Sequence, residues 1–144
     1  MSEKIIVGTD GSDRAKHAVA EAIRIAKALG AELHVVTAGR PMQGAKIVGA
    51  PDAARAVYGP VEAGLRSALI DDALESARLA GITAEAHVRD DDPGDALVAV
   101  ARELDADLVV VGNKGMSGGR RLLGSVPNKV SHEAPCSVLI VNTK

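Results

Sequence analysis

Two groups of residues in this chain have types and spacing that suit chemistry. Thr9, Asp10 and Ser12 close the first aliphatic run, KIIVGTDGS, and Gly112, Gly115, Gly124 and Ser125 punctuate a later stretch, VVGNKGMSGGRRLLGSVPNKV. That later stretch holds five glycines, at 112, 115, 118, 119 and 124, between an aliphatic run and an apolar, helix-like segment. Gly112 and Gly115 can adopt backbone angles closed to other residues, and without Cβ atoms their amides can approach an anion closely. Gly124-Ser125-Val126 opens the helix-like segment, where free N–H groups, the positive end of the helix dipole and the Ser125 hydroxyl favour a phosphate. The chemistry is recognition of a polyphosphate without a lysine-centred pocket. A second reading stands beside it, in which the glycines only let a loop turn tightly over the fold.

Other polar residues divide in the same way. Asp10 can organise a ribose or a magnesium ion, or cap the turn into the first helix. Lys114, Arg120 and Arg121 can clamp phosphates or stand as solvated surface charges, and the two adjacent arginines point in different directions. His34, in an apolar strand, and His87, in an alternating one, have no acidic or thiol partner at ligand spacing, so no metal site is expected. His17 and His132 read as helix-surface residues. Cys136 has no visible base and reads as a buried or edge thiol rather than a nucleophile. Asp90-Asp91-Asp92 reads as a solvated loop ending in a proline turn, because a phosphoacceptor site would also need paired acids after the first strand. No G-x-x-x-x-G-K-[ST] loop is present and GTDGS is not G-x-G-x-x-G, which removes the phosphate-loop NTPase and dinucleotide dehydrogenase readings.

Positioning these groups requires an alternating architecture. Lys4 to Thr9 reads as a buried strand. From Ser12, a candidate cap, apolar residues recur at three and four through Leu29, and Gly30 stops that helix. Glu32 to Ala38 is a second strand. Gly39 to Pro60 lacks periodicity and reads as a long loop, either a lid or partner-binding flap or a disordered insertion. A helix is predicted over 61–79, a strand from Ile82 to Arg89, a turn at Asp92-Pro93-Gly94-Asp95 and a helix from Asp95 to Leu104. Ala106 to Gly112 is the most apolar strand and the candidate for the sheet centre. A short helix from Val126 to His132, with Pro127 in its first turn, and a strand from Ser137 to Asn142 complete the chain. With right-handed crossovers, this β-α-β-α-β-α-β-α-β order gives an α/β fold with an open, doubly wound, parallel five-stranded sheet. In such sheets ligands bind beyond the carboxyl ends of the strands where the order reverses. If the first and fourth strands are neighbours there, Thr9-Asp10-Gly11-Ser12 meets Gly112-Asn113-Lys114-Gly115.

Composition agrees with a single domain. The chain has 144 residues, enough to enclose one core without staples, and its one aromatic is Tyr58, so the core must be layered from small aliphatic side chains. A net charge of −2 with interspersed signs offers no basic face for nucleic acid. One cysteine gives no disulfide framework, so a reducing cytoplasm is the expected compartment. MSEKIIVGTDGS has no charged leader ahead of a long apolar segment, and no run approaches the ~20 residues of a membrane span, so neither targeting nor membrane insertion is expected.

The segments IIVGTDGSDRAKHAVAEAIRIAKALGAELHVV, ADLVVVGNKG and LLGSVPNKVSHEAPCSVLIV together make the whole chain resemble the universal stress protein family. That resemblance implies a Rossmann-like, adenine-nucleotide α-hydrolase-like fold with strand order 3-2-1-4-5, and a homodimer in which the last strands pair. Ser137 to Val141 would otherwise be an aggregation-prone edge. ATP-binding members carry G-x2-G-x9-G-[ST], whose glycines and hydroxyl contact phosphates and ribose. Carried over, the motif marks Gly112, Gly115, Gly124 and Ser125, with Val126 adjacent; the resemblance further implies Asp10 near the ribose, Thr9 beside it as a cofactor-binding residue, and the backbone at Ala38 near adenine. This chain departs from the motif by one residue, MSGGRRLL being eight where the pattern has nine. Gly118-Gly119 can absorb that deletion, or it reshapes the pocket. The resemblance thus implies a cytoplasmic stress-response protein with ATP, with or without Mg2+, as a regulatory ligand. No aligned general base is visible, so hydrolysis or autophosphorylation would at most be slow. The alternative is a nucleotide-free dimeric interaction module acting through the Gly39 to Pro60 loop and the dimer surface. A third reading, adenylyl or phosphoryl transfer, would need a placed base that the sequence does not name.

Overall fold

Ile5, Ile6 and Val7 are consecutive and all fully buried, so β1 (Lys4–Gly8) must be covered on both faces. That is the condition of a parallel strand between two helical layers. A computed structural model describes residues 2–39, 68–113 and 123–143 and shows this arrangement. The remaining elements are α1 (Asp13–Leu29), β2 (Glu32–Ala38), α2 (described over residues 68–79), β3 (Ala84–Arg89), α3 (Pro93–Leu104), β4 (Leu108–Gly112), α4 (Ser125–Glu133) and β5 (Ser137–Val141). Every strand pair is parallel and the order is β3-β2-β1-β4-β5, the five-stranded doubly wound sheet expected from the sequence.

The pleat sends alternate residues to opposite layers. Ile5, Val7, Leu33, Val35 and Val110 pack beneath α1 and α2, whose Ala18, Ala22, Ala26 and Ala77 let the helices lie close to the sheet. Ile6, Val36, Val109 and Val111 face α3 and α4, where Leu97, Val100 and Val130 complete the second layer. Ser12 caps α1 by accepting a hydrogen bond from the Ala15 amide, and Gly30 ends the helix at φ +66°.

Three expectations need correction. The strand at the centre is β1, with β4 beside it; both are buried on both faces, so apolar content alone could not rank them. Asp92-Pro93-Gly94-Asp95 is the first turn of α3 rather than a separate turn. The Asp92 carboxylate accepts from the Asp95 amide at the helix start, and Pro93 supplies a φ already suited to the first helical position. Ala106 and Asp107 precede β4: the Lys4 carbonyl accepts from the Asp107 amide at 2.9 Å and the Lys4 amide donates to the Asp107 carboxylate at 2.8 Å, a clasp that sets the β1–β4 register. The long loop beyond Gly39, the start of the second helix (61–67), Lys114, Gly115 and the Gly118 to Arg121 stretch lie outside the described residues. No helix among the described residues is long and apolar enough to cross a membrane.

Candidate functional site

The chain reverses its direction of travel across the sheet between β1 and β4, and this opens a crevice at their carboxyl ends. Val7 pairs in register with Val110, so both strands end within a residue or two of the same level. The segment leaving each strand is held by its own side chains.

On the β1 side, the Thr9 amide donates to the Val36 carbonyl at 2.9 Å, and the Thr9 hydroxyl accepts from the Gly11 amide at 3.1 Å. The Asp10 carboxylate accepts from the Ser12 amide at 2.9 Å, an Asx turn that hands the chain to the Ser12 cap. Gly11 sits at φ +78°, and a Cβ there would lie 2.0 Å from Leu69 Cδ2 on α2. Asp10 therefore builds the turn as well as lining the crevice.

On the β4 side, Gly112 does not use the left-handed backbone expected for it. Its bare Cα instead admits the Thr143 methyl, which would stand 3.2 Å from an added Cβ. Asn113 fastens the next step: its side-chain oxygen accepts from the Thr143 amide at 3.0 Å and from the Thr143 hydroxyl at 2.8 Å, while its own amide donates to the Val141 carbonyl. The stretch after β4 thus departs from a point anchored to the residues after β5.

The cleft between these exits encloses about 190 Å³ and is mostly apolar. Val36, Ala38, Pro93 and Leu97 form one wall, and Val126 and Pro127 another. Gly8 keeps the floor open, since a Cβ there would stand 3.1 Å from Leu97 Cδ1. Among the described lining residues the only charged side chains are Asp10 and Arg14. Gly124 precedes α4 in an extended conformation, φ −61° and ψ 164°, and no side chain among the described residues caps that helix. Its first-turn amides carry the positive end of a dipole that a ligand anion can complete. α3 and α4 pack together through Leu97, Ala101 and Val130, and a partly exposed ion pair between Asp95 and Lys129 also joins them, with Gly94 leaving room for the Lys129 stem. The Asp95 carboxylate holds the Lys129 ammonium above its ordinary pKa.

Of the residues expected from sequence, Thr9, Asp10, Ala38, Gly112 and Val126 line this one cleft, and Gly124 and Ser125 begin the helix that borders it. Gly115 lies outside the described residues. Sequence reasoning missed Gly8, Arg14, Val36, Leu97 and the clamp at Asn113. Arg14 carried a usable signal, standing in the first turn of a helix that begins at the crevice; Leu97 and Thr143 reach the site only through tertiary packing. His17 and His132 are exposed, as expected. Cys136 is half-buried, and burial raises its thiol pKa, with the Asp107 carboxylate adding to the rise.

The family model described as "Universal stress protein family" matches residues 1–142. The chain belongs to the universal stress protein family. Universal stress protein Rv1636 of Mycobacterium tuberculosis is 41% identical over 145 residues, covering 96% of this chain and 95% of the relative. A universal stress protein crystallised in complex with cAMP superposes with a TM-score of 0.74 at 36% identity, over 99% of this chain and 98% of that one. The universal stress protein of Archaeoglobus fulgidus in complex with dAMP gives 0.69 at 25% identity, over 97% and 98%. Members of the family with this fold thus include adenine-nucleotide complexes.

Proposed function

We propose that this universal stress protein binds an adenine nucleotide, with ATP as the expected form, as a regulatory ligand in the cleft at the β1 and β4 exits. The observation that carries the reading is the meeting of two unlike surfaces in one crevice: an apolar slot at Val36, Ala38 and Leu97, and a helix start at Gly124, which has no side chain with which to cap it. A base and a phosphate need just such a pair. The cAMP and dAMP complexes of relatives support it. In this reading adenine lies against Ala38, the ribose near Thr9 and Asp10, and the phosphates meet Gly112, Gly115 and the Gly124-Ser125-Val126 amides. Asp10 is also the carboxylate on the rim to which a magnesium ion accompanying ATP would be drawn.

The ligand acts by binding rather than by turnover. The one carboxylate among the described lining residues, Asp10, already accepts the Ser12 amide, so hydrolysis or autophosphorylation is slow at most. The protein works in a cytoplasmic stress response as a homodimer joined along the edge strand β5, whose Val138, Leu139, Ile140 and Val141 are only partly covered within one chain. A single half-buried thiol suits a reducing compartment.

Calorimetric titration with ATP, AMP and adenosine tests the site through two variants. Ser125 is exposed at the first position of α4, so Ser125→Glu suits the helix dipole and leaves the fold intact, yet places negative charge where a phosphate would sit. Affinity for ATP falls about tenfold or more, as expected for one lost charge-assisted contact of ~1.5–3 kcal/mol, while adenosine binding is nearly unchanged. Ala38→Leu fills the slot and weakens all three ligands. A wild-type chain that binds none of them overturns the reading and leaves the nucleotide-free interaction module, which the shortened Gly115 to Gly124 segment favours. In that case the supernatant of freshly purified, heat-denatured protein shows no adenine absorbance.

A further inference from the structure

Away from the cleft, four residues down β2 from Ala38 and so about 13 Å along the strand, the sheet collects a different set of groups. His34 pairs in register with Glu85 on the edge strand β3, and its neighbour Val36 pairs with His87. Residues 85 and 87 are two apart on a strand and project to the same face as His34, the face covered by α3. The result is a cluster in which only the Glu85-His87 spacing is local, and His34 joins it through the strand register. His34 Nδ1 stands 3.0 Å from His87 Nε2 and 3.8 Å from Glu85 Oε2, and one ligand atom from each residue falls within 4.8 Å of the others.

We propose that His34, Glu85 and His87 bind one divalent transition-metal ion of the zinc type, with His34 Nδ1, His87 Nε2 and a Glu85 carboxylate oxygen as ligands. Around a tetrahedral ion with bonds of ~2.0–2.1 Å, ligand atoms stand about 3.3 Å apart, and the two distances from His34 Nδ1, 3.0 Å to His87 Nε2 and 3.8 Å to Glu85 Oε2, lie on either side of that value. Two imidazole nitrogens and a carboxylate are a donor set that zinc takes.

A second observation points the same way. The His34 side chain is 95% buried, yet its Nε2 has no hydrogen-bond partner among the described residues. The Glu32 Oε2 carboxylate oxygen stands 4.0 Å from it. With Nδ1 on a metal, Nε2 must carry the proton, and a small movement of the exposed Glu32 carboxylate completes the carboxylate–histidine–metal arrangement that orients such ligands. Burial and the His87 ring keep His34 neutral, the form that binds a metal, while the Glu85 and Glu32 carboxylates lie within electrostatic reach of it, and Glu103 within reach of His87. Glu103 is engaged by Arg89 in a two-pronged pair and is not a ligand. Three protein ligands leave the fourth position to water on the side of exposed Glu85. The ion would fasten the edge strand to its neighbour.

The test uses the full chain, tag-free and stripped of metal, titrated with Zn2+ and with Co2+. One equivalent of Co2+ produces the visible d–d bands of a four-coordinate nitrogen and oxygen site, and Zn2+ displaces them and raises the melting temperature. Glu85→Gln and His87→Ala each weaken Zn2+ at least about tenfold and abolish the thermal shift, whereas His17→Ala and His132→Ala leave both unchanged. Glu85 is exposed, so its variant keeps the test decisive even if His87→Ala perturbs the strand. A wild-type chain without one-equivalent Zn2+ binding, or a Glu85→Gln variant that binds as the wild type does, overturns the proposal.

Discussion

Gly11 lends itself to a quantitative test, because two separable penalties fall on one methyl group. At φ +78° an alanine occupies left-handed backbone, which costs roughly 1–2 kcal/mol. Its Cβ would also stand 2.0 Å from Leu69 Cδ2, 3.0 Å from Cγ and 3.1 Å from Cδ1. Rotating the end of Leu69 leaves Cγ in close contact, so either the whole side chain or α2 must shift, at about 1–3 kcal/mol for a methyl forced into a packed contact. Gly11→Ala is therefore expected to cost ~2–5 kcal/mol. Gly30 supplies the control: it sits at φ +66° with nothing within 4 Å of an added Cβ, so Gly30→Ala carries the backbone penalty alone, ~1–2 kcal/mol. Urea unfolding of both variants reads the difference. A double-mutant cycle with Leu69→Ala isolates the steric part, since removing the leucine relieves the clash and the two changes cost less together than their sum. Because Gly11 donates to the Thr9 hydroxyl in the turn bearing Asp10, ATP affinity falls in Gly11→Ala and is retained in Gly30→Ala. Equal destabilisation of the two variants, with additive behaviour against Leu69→Ala, would refute the reasoning.

Asn113→Ala removes the acceptor of two hydrogen bonds from Thr143 and is expected to destabilise the chain by about 1–2 kcal/mol in urea unfolding, with weaker ATP binding by calorimetry. The thiolate is the species that reacts with iodoacetamide, and burial raises the Cys136 pKa, so at pH 8 the folded chain alkylates more slowly than free cysteine. The rate rises with pH and approaches that of free cysteine on unfolding. Labelling of the folded chain as fast as free cysteine at that pH would contradict the burial.

The sequence disclosed those parts of the fold whose signals are local. Glu32 to Ala38 was legible to the residue because Gly30 and Gly39 flank an apolar run, and Ser12 was legible as a cap because a serine precedes a helical period. Asp92-Pro93-Gly94-Asp95 was not, since the same four residue types serve a free turn and a capped helix start. What decides between them is whether Leu97 and Val98 have a sheet to pack on. The cleft was legible in outline from Thr9 and Asp10, which follow β1, and Gly112, which ends β4, but its apolar wall was not, because Leu97 reaches it from α3 only through tertiary packing. The histidine cluster was hidden for the same reason. His34 and His87 are 53 residues apart, and only the register of β2 on β3 places His34 beside the Glu85 and His87 pair. The smallness of Gly112 finds its structural explanation at the far end of the chain, in the Thr143 methyl.

The knot between Asn113 and Thr143 joins the lip of the cleft to the rim of the molecule where β5 runs out. Two hydrogen bonds and a methyl contact are the physical link between them. If a partner on that rim and a ligand in the cleft both bear on this link, linkage requires each to alter the other's affinity by the same factor.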